Sequence, residues 1–484
     1  MSLATTPRPT LALDDTSHDS RRWWALAAIA IAQLMIVVDA TIMNIALPSA
    51  QRDLGLSDSS RQWVITIYAL LFGSLLLLGG PLSDLLGRKR ALIIGLVGFA
   101  LASAIGGAAQ GPASLLTARA VQGVFAALLT PSALAMLSSL FPSPADRGKA
   151  FGIFGTIMGS GSGIGVMLGG ILTDVASWRW AMYVNVPIAV IAGIGIVYAV
   201  RSVPTQSNQR VDLVGAFIAT SAMVALVFGF SRAESRGWTS IDAFAPLIVG
   251  AVLLPIFIVV EKRVAGPLLP PQLLLDRQRS GSFLAAFCWG ASIFGGFFFI
   301  SFYLQNVLGL SPFRTGLAFL PYTMTVILTA RFVGRQIRDT PPRKLICPGL
   351  ISIGAGLLLL GTLQTDSHYA VHVLPVFVLL GAGTAFINIT VASAVTLNAG
   401  KDTGIASAMS STSSQLGGAL GTAVLSSLAG DATARYASDH SGNLNLTNEA
   451  AVYGFSIASL AAGGFVLVAA VAIFAAIGPT RDSN

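Results

Sequence analysis

Fourteen stretches of about 20 or more mostly apolar residues dominate this chain. They run approximately 23–47, 62–81, 90–109, 114–141, 148–173, 178–200, 212–231, 243–261, 281–306, 313–335, 344–364, 370–398, 404–430 and 453–478. A helix rises about 1.5 Å per residue, so about 20 residues cross a hydrocarbon layer about 30 Å thick. Only 10% of the residues are charged and 54% are hydrophobic. Soluble domains carry roughly 25% charged residues, so an ordinary soluble fold is excluded. The expected fold is an all-α integral membrane protein with 14 spanning helices. The chain also holds 51 Gly, as helices in close contact within a bilayer require.

The charges that remain set an orientation. With the N-terminus in the cytoplasm, the inner segments hold 20 of the 29 Lys and Arg, including Arg21, Arg22, Arg88, Lys89, Arg90, Lys262, Arg263, Arg343 and Lys344. The outer segments hold 7, and Arg119 and Arg331 lie inside spans. This excess predicts that both termini are cytoplasmic and that the number of spans is even. The net charge of +8 is scattered over short loops without a continuous stripe. It therefore points to membrane orientation and not to nucleic acid. Cys288 and Cys347 sit in separate apolar segments, which argues against a disulfide framework or a cysteine metal site. The first apolar run is too long for the core of a cleaved signal and is expected to stay as a span. Arg outnumbers Lys, as in GC-rich bacterial genomes, and the expected location is a bacterial cell membrane.

A weak internal repeat organises the spans. After the second span the chain reads GPLSDLLGRKR, Gly80 to Arg90; after the tenth it reads GRQIRDTPPRK, Gly334 to Lys344. Both begin with Gly, carry an acid four or five residues on, and end in a basic cluster. Weak symmetry of this kind is characteristic of transporters. It predicts a short tail (1–22), a six-helix bundle (23–200), a linker with two inserted helices (201–262), a cytoplasmic linker (263–280), a second six-helix bundle (281–478) and a tail (479–484).

On these motifs the sequence resembles the major facilitator superfamily, and within it the fourteen-helix drug–proton antiporters. The loop Gly80–Arg90, VDATIMNIALP (Val38–Pro48), LTARAVQGVFAA (Leu116–Ala127) and WRWAMYVNVP (Trp178–Pro187) carry the resemblance. So does the fifth span, GSGSGIGVMLGG from Gly159 to Gly170, with Val166 where the antiporter motif has Pro. The resemblance implies two six-helix bundles facing each other across a central cavity. It implies that Arg119 takes part in proton transfer. It also implies that Gly80, Asp84, Gly87 and Arg88 form a latch at the seam between the bundles, with Asp146 as the expected partner of Arg88.

The residues themselves add chemistry. Asp39 is the sole acid of the first span and lies roughly 22 Å along it, about 8 Å below the outer surface. A carboxylate at such depth is costly and usually functional. Arg119 lies at a similar depth in the fourth span, and a buried guanidinium needs a partner, so an Asp39–Arg119 pair or relay is expected. Met35 and Met43 lie within about 40° of Asp39 around the helix, and an acid among soft side chains suits a lipophilic cation. Gln33 and Asn44 share another face. All four are candidate cavity residues. In the fifth span Gly155, Gly159 and Gly163 form one i+4 row, and Gly161, Gly165 and Gly169 form another; with Gly170 they are expected to let helices approach closely.

No nucleotide-binding, HExxH or GxSxG pattern occurs. An enzyme would need clustered acid, base or nucleophile at one depth, and a sensor would need an output domain. The expected function is therefore proton-coupled efflux of small hydrophobic drugs or natural products by a monomer. It would need no cofactor beyond the proton gradient. Transport of a lipid, a metabolite or an amino acid is the alternative.

Overall fold

The computed structural model describes residues 19–141, 143–200, 212–264, 267–268, 276–337, 340–396, 403–440 and 446–476. Residues 1–18 and 477–484 and half of the linker 263–280 lie outside them. The order is α1 Asp19–Leu54, α2 Asp58–Leu86, α3 Arg88–Gly107, α4 Pro112–Leu140, α5 Pro144–Val175, α6 Trp180–Tyr183 and α7 Asn185–Ala199. Next come α8 Leu213–Arg236, α9 Ile241–Glu261, α10 Arg277–Phe302, α11 Pro312–Ala318 and α12 Leu320–Gln336. The last four are α13 Pro342–Leu360, α14 Leu374–Thr396, α15 Thr403–Asp439 and α16 Leu446–Ala476.

Each of the fourteen apolar runs carries helix, but two are broken. The sixth run is split at Val184 into α6 and α7, and the tenth at Phe319 into α11 and α12. The twelfth opens with a wide turn at Tyr369–Val373 before α14. Pro187, Pro321 and Pro375 lie just beyond these three breaks. A proline removes one N–H and crowds the carbonyl four residues earlier, so the turn before it opens. Among the described residues eleven helices are long and apolar enough to cross a membrane, and α2 makes twelve if its two halves, bent by 63°, count as one span. The other two runs, α5 and α15, are rich in Gly, Ser and Thr and pack inside the assembly.

The same packing pattern occurs twice. In the first half α1 packs on α5 and α7, α2 on α4, and α3 on α4 and α7. In the second half α10 packs on α15 and α16, α12 on α14, and α13 on α14 and α16. Between the halves the second helix of each meets the fifth of the other: α2 lies on α15, and α11 and α12 lie on α5. Gly80 and Gly334, which open the two related loops, both have open space where a Cβ would stand. The extra pair, α8 and α9, packs on itself, and α8 rests against α2 and α15 beside that seam. Asp212, just before α8, is buried. It caps α8 by accepting from Gly215 N at 2.8 Å, and the neighbouring Glu261 of α9 covers it.

The glycine rows of α5 divide between two tasks. A Cβ at Gly161, Gly165 or Gly169 would strike α1, at Leu34 and Val37, at Val38 and Thr41, and at Ile42 respectively. One at Gly163 would strike Thr323 of α12, and one at Gly170 would strike Pro312 of α11. The first row thus closes the first half, whereas Gly163 and Gly170 bring the two halves together. Gly155 and Gly159 lie outside the described side chains. Val166 is buried, and its carbonyl meets Gly316 of α11.

Side-chain contacts between the halves gather at the end where α1 finishes and α2 begins. Gln305 donates to Ile45 O at 3.1 Å, and Ser311 donates to Asp174 at 3.2 Å. The Arg61 guanidinium sits over the rings of Phe298 and Phe302, 4.9 and 4.5 Å from their centroids.

Neighbouring glycines on α2 test this packing. A methyl at Gly79 would strike Ala127 O of α4, whereas one at Gly80 meets nothing within 4 Å. Overpacking a tight contact costs about 1–3 kcal/mol. Gly79→Ala is expected to lower the melting midpoint of the detergent-solubilised protein, and Gly80→Ala to leave it unchanged. Equal midpoints would contradict the close α2–α4 contact.

Candidate functional site

Five helices of the first half converge on one carboxylate. Asp39 of α1 is fully buried, and Arg119 of α4 is 1% exposed. Their ion pair spans 2.6 Å, from Arg119 Nη1 to Asp39 Oδ2. The other carboxylate oxygen accepts from Gln122 Nε2 at 3.0 Å and from Asn185 Nδ2 at 2.8 Å. Gln122 follows Arg119 by one helical turn, so both reach from the same face of α4. Asn185 is the first residue of α7.

The guanidinium is satisfied on several sides. Nη1 also donates to Gln122 Oε1 at 2.9 Å, and Nε donates to Val64 O of α2 at 3.1 Å. The Tyr68 ring of α2 lies 4.3 Å from the guanidinium carbon, a cation–π contact. From α3, Ser103 Oγ accepts from Gln122 at 2.7 Å and from Asn185 at 3.3 Å, and donates to Phe99 O. A buried ion pair holds only when its remaining lone pairs and protons find partners. This network supplies three donors to a carboxylate that water does not reach in this conformation.

The expected Asp39–Arg119 pair is therefore a direct contact. Gln122, Asn185, Ser103 and Tyr68 were not singled out from the sequence. Gln122 was legible, lying one turn beyond a buried Arg, and Asn185 was legible as the lone amide in a nearly unbroken apolar run.

The other expectations fare differently. Met35 and Met43 do not line an open cavity in this conformation. Both are fully buried in packed apolar clusters, because α1 is enclosed by α4, α5 and α7. Gln33 is also buried and reaches Thr130 of α4 at 3.4 Å; Asn44 turns back on its own helix, donating to Ala40 O at 2.9 Å. The Asp39 charge is already matched by Arg119, so it is not a vacant counter-ion for a cation.

At the opposite end of the half, Gly87 joins α2 to α3 with φ at +85°, a conformation that favours glycine. Arg88 does not pair with Asp146. It bonds Asp84 at 2.9 Å, Ala135 O at 3.2 Å and Ser139, all within the first half. Asp146 pairs instead with Arg22 at 3.0 Å. The packing explains the exchange. α3 lies along α4, so Arg88 meets the end of α4, while the start of α1 lies beside the start of α5.

The comparisons with known proteins agree with this architecture. The family model described as Major Facilitator Superfamily matches residues 29–422. The chain belongs to the major facilitator superfamily. It is thus a bacterial multi-pass membrane protein of the transporter class. It is 43% identical over 457 residues to the puromycin resistance protein pur8 of Streptomyces alboniger, covering 94% of this chain and 91% of that one. It is 36% identical to the cephamycin export protein CmcT of Amycolatopsis lactamdurans, covering 86% and 87%. The tetracenomycin C resistance and export protein of Streptomyces glaucescens is 32% identical, covering 84% and 75%. Among solved structures, a peptide transporter, POT, in complex with sulfate overlays with a TM-score of 0.63 at 18% identity, covering 93% and 95%. That likeness shows the major facilitator fold.

Removing one partner of a buried pair costs about 3–5 kcal/mol, because it strands the other charge. Arg119→Gln is expected to lower the melting midpoint more than the double variant Arg119→Gln with Asp39→Asn does. A double variant as unstable as the sum of the single ones would mean that the two side chains do not stabilise each other.

Proposed function

We propose that this protein exports small hydrophobic natural products from a bacterial cell in exchange for protons. The observation that carries the reading is a fully buried carboxylate, Asp39, held against Arg119 within a bundle whose core is mostly apolar. Relatives named for antibiotic resistance and export, similar over most of both chains, supply the substrate class.

In this reading both termini face the cytoplasm, as the Lys and Arg distribution favours. The contacts of Gln305, Ser311 and Arg61 between the halves then close the outer end. Rocking of one half against the other along the α2–α15 and α5–α11/α12 seams exposes the substrate alternately to the two sides. The Asp84–Arg88 segment holds the cytoplasmic ends of α2, α3 and α4 together and acts as part of the latch. The transporter works as a monomer without a cofactor. One charge moving through 100 mV supplies about 2.3 kcal/mol, enough to sustain a gradient of about fifty-fold.

Asp39→Asn keeps the volume and removes the titrating group. In proteoliposomes it is expected to abolish substrate export driven by a pH gradient while the folded protein remains in the membrane. Wild-type pumping across several pH values would make Asp39 a structural residue only.

Substrate charge gives a second test. Within the two bundles Asp39 is the acid set well inside a span, and Arg119 already neutralises it. Asp212 and Glu261 belong to the inserted pair. Each unpaired charge brought into a dry interior costs several kcal/mol. Neutral compounds and lipophilic monocations are therefore expected to be exported faster than matched dications at a fixed pH gradient. Equal or faster export of the dication would refute this assignment of charge.

A further inference from the structure

The hydrogen bonds around Asp39 suit only one of its protonation states. Arg119, Gln122 and Asn185 all present N–H groups to it, which serves a carboxylate. A protonated Asp39 carries an O–H that must find an acceptor, and buried polar groups left unmatched are costly. Arg119 has no acceptor. Gln122 is engaged at both ends of its amide: Oε1 takes Arg119, and Nε2 serves both Asp39 and Ser103. Ser103 already donates to Phe99 O. The Tyr68 hydroxyl also lacks a partner, but Tyr68 gives its ring to Arg119. Asn185 differs from the rest. It is fully buried and already in contact with Asp39, and its own Oδ1 has no hydrogen-bond partner.

We infer that Asn185 is the residue that accommodates the proton: when Asp39 is protonated, the Asn185 amide turns over and its Oδ1 accepts the new O–H. The inference rests on the proton-coupling reading above. The proton comes from solvent and stays on Asp39, and no other bond is made or broken. A half-turn about the terminal side-chain bond exchanges Nδ2 for Oδ1 at nearly constant shape, which a Leu or Ala at this position cannot do. It also withdraws Nδ2 from Ser103. Asn185 follows Val184, where the chain passes from α6 into α7, so the exchange changes the bonding at that joint. Asn185 is a positioning residue, since it acts through Asp39.

The titratable groups facing Asp39 are Arg119 of α4 and Tyr68 of α2. α3 contributes Ser103 and α7 contributes Asn185, both uncharged. The charged residues of α5, α10 and α11 lie at Asp146, Arg147, Lys149 and Asp174, at Arg277 and Arg279, and at Arg314, near the ends of those segments. Asn185 is therefore the uncharged group best placed to follow the proton.

The test is infrared difference titration of the full-length protein in proteoliposomes. The carboxylic-acid C=O band to follow is the one that Asp39→Asn removes. The bond that Asn185 gives to the carboxylate is charge-assisted, and so about twice as strong as the one it accepts from the neutral acid. Asn185→Ala loses more on the ionised side, so the midpoint of the band should move up by about one pH unit, a tenfold change in proton affinity. The pH profile of export should move with it. A side-chain amide C=O band should shift with the same midpoint in the wild type and be absent in Asn185→Ala. Asn185→Asp keeps the shape while adding a second carboxyl, and should raise the midpoint further. If the wild-type band titrates but both variants keep its midpoint, Asn185 is only a packing residue and the inference fails. If no Asp39-dependent band titrates in the wild type, the proton-coupling reading fails and takes the inference with it.

Discussion

One ion pair in a dry place governs the construction of the first half. A lone carboxylate or guanidinium within a bilayer-spanning bundle is expensive, and their mutual attraction compensates only if the other polar atoms are matched. Asp39 and Arg119 meet that condition by drawing on α1, α2, α3, α4 and α7 together. No helix of this set can slide or rotate far without breaking a bond to the pair. In the proposed cycle these five helices therefore move as one body, and any large rearrangement is left to the contacts outside them.

Those contacts are of a different kind. Inside the first half α5 lies on α1 through glycines that bring Val38 and Ile42 almost against its backbone. Across the seam, close approaches occur at Gly163, Gly170 and Gly316, together with a few polar and aromatic contacts at one end. Lipid tails are as apolar as leucine, so tight van der Waals packing of small residues supplies much of the association energy between such helices. A seam of small residues separates without stranding any buried charge. The buried Asp39–Arg119 pair lies within one half and not between the two, which keeps the cost of parting them low.

Much of this was legible in the sequence because it depends on length and spacing. The fourteen runs, the inserted pair and the loops at Gly80 and Gly334 follow from hydropathy and repetition. The Asp39–Arg119 contact was legible from depth, since two residues about 8 Å below one surface on antiparallel helices lie at one level, together with the resemblance to a family whose matching Arg takes part in proton transfer. What depends on direction around the helix axis was not legible. Arg88 meets Asp84 and α4, and Asp146 meets Arg22, because helix neighbours, and not sequence proximity, decide which charges face each other. Met35 and Met43 were placed correctly relative to Asp39, but the helices packed around α1 turn that face into core. Asp212 lies near a chain segment that looks exposed, yet α9 covers it with Glu261.

The two halves share a packing pattern but not a chemistry. The second half has no acid in the core of its spans among the described residues. In place of an ion pair it holds neutral bonds, Trp289 Nε1 to Thr384 Oγ1 at 3.1 Å and Tyr322 Oη to Thr384 Oγ1 at 3.2 Å. Around them Phe297, Phe319 and Phe377 pack ring against ring, with neighbouring centroids 4.6 to 5.0 Å apart. Aromatic faces and single hydroxyls hold apolar surfaces without demanding one charge state, whereas a buried carboxylate responds sharply to a proton. A proton gained by Asp39 therefore alters the electrostatics of one half and leaves the other as it was. In the proposed cycle, information about the proton passes to the second half only through the seam. That is a reason for the seam to be built from contacts weak enough to be broken by a change of one hydrogen bond's worth of free energy.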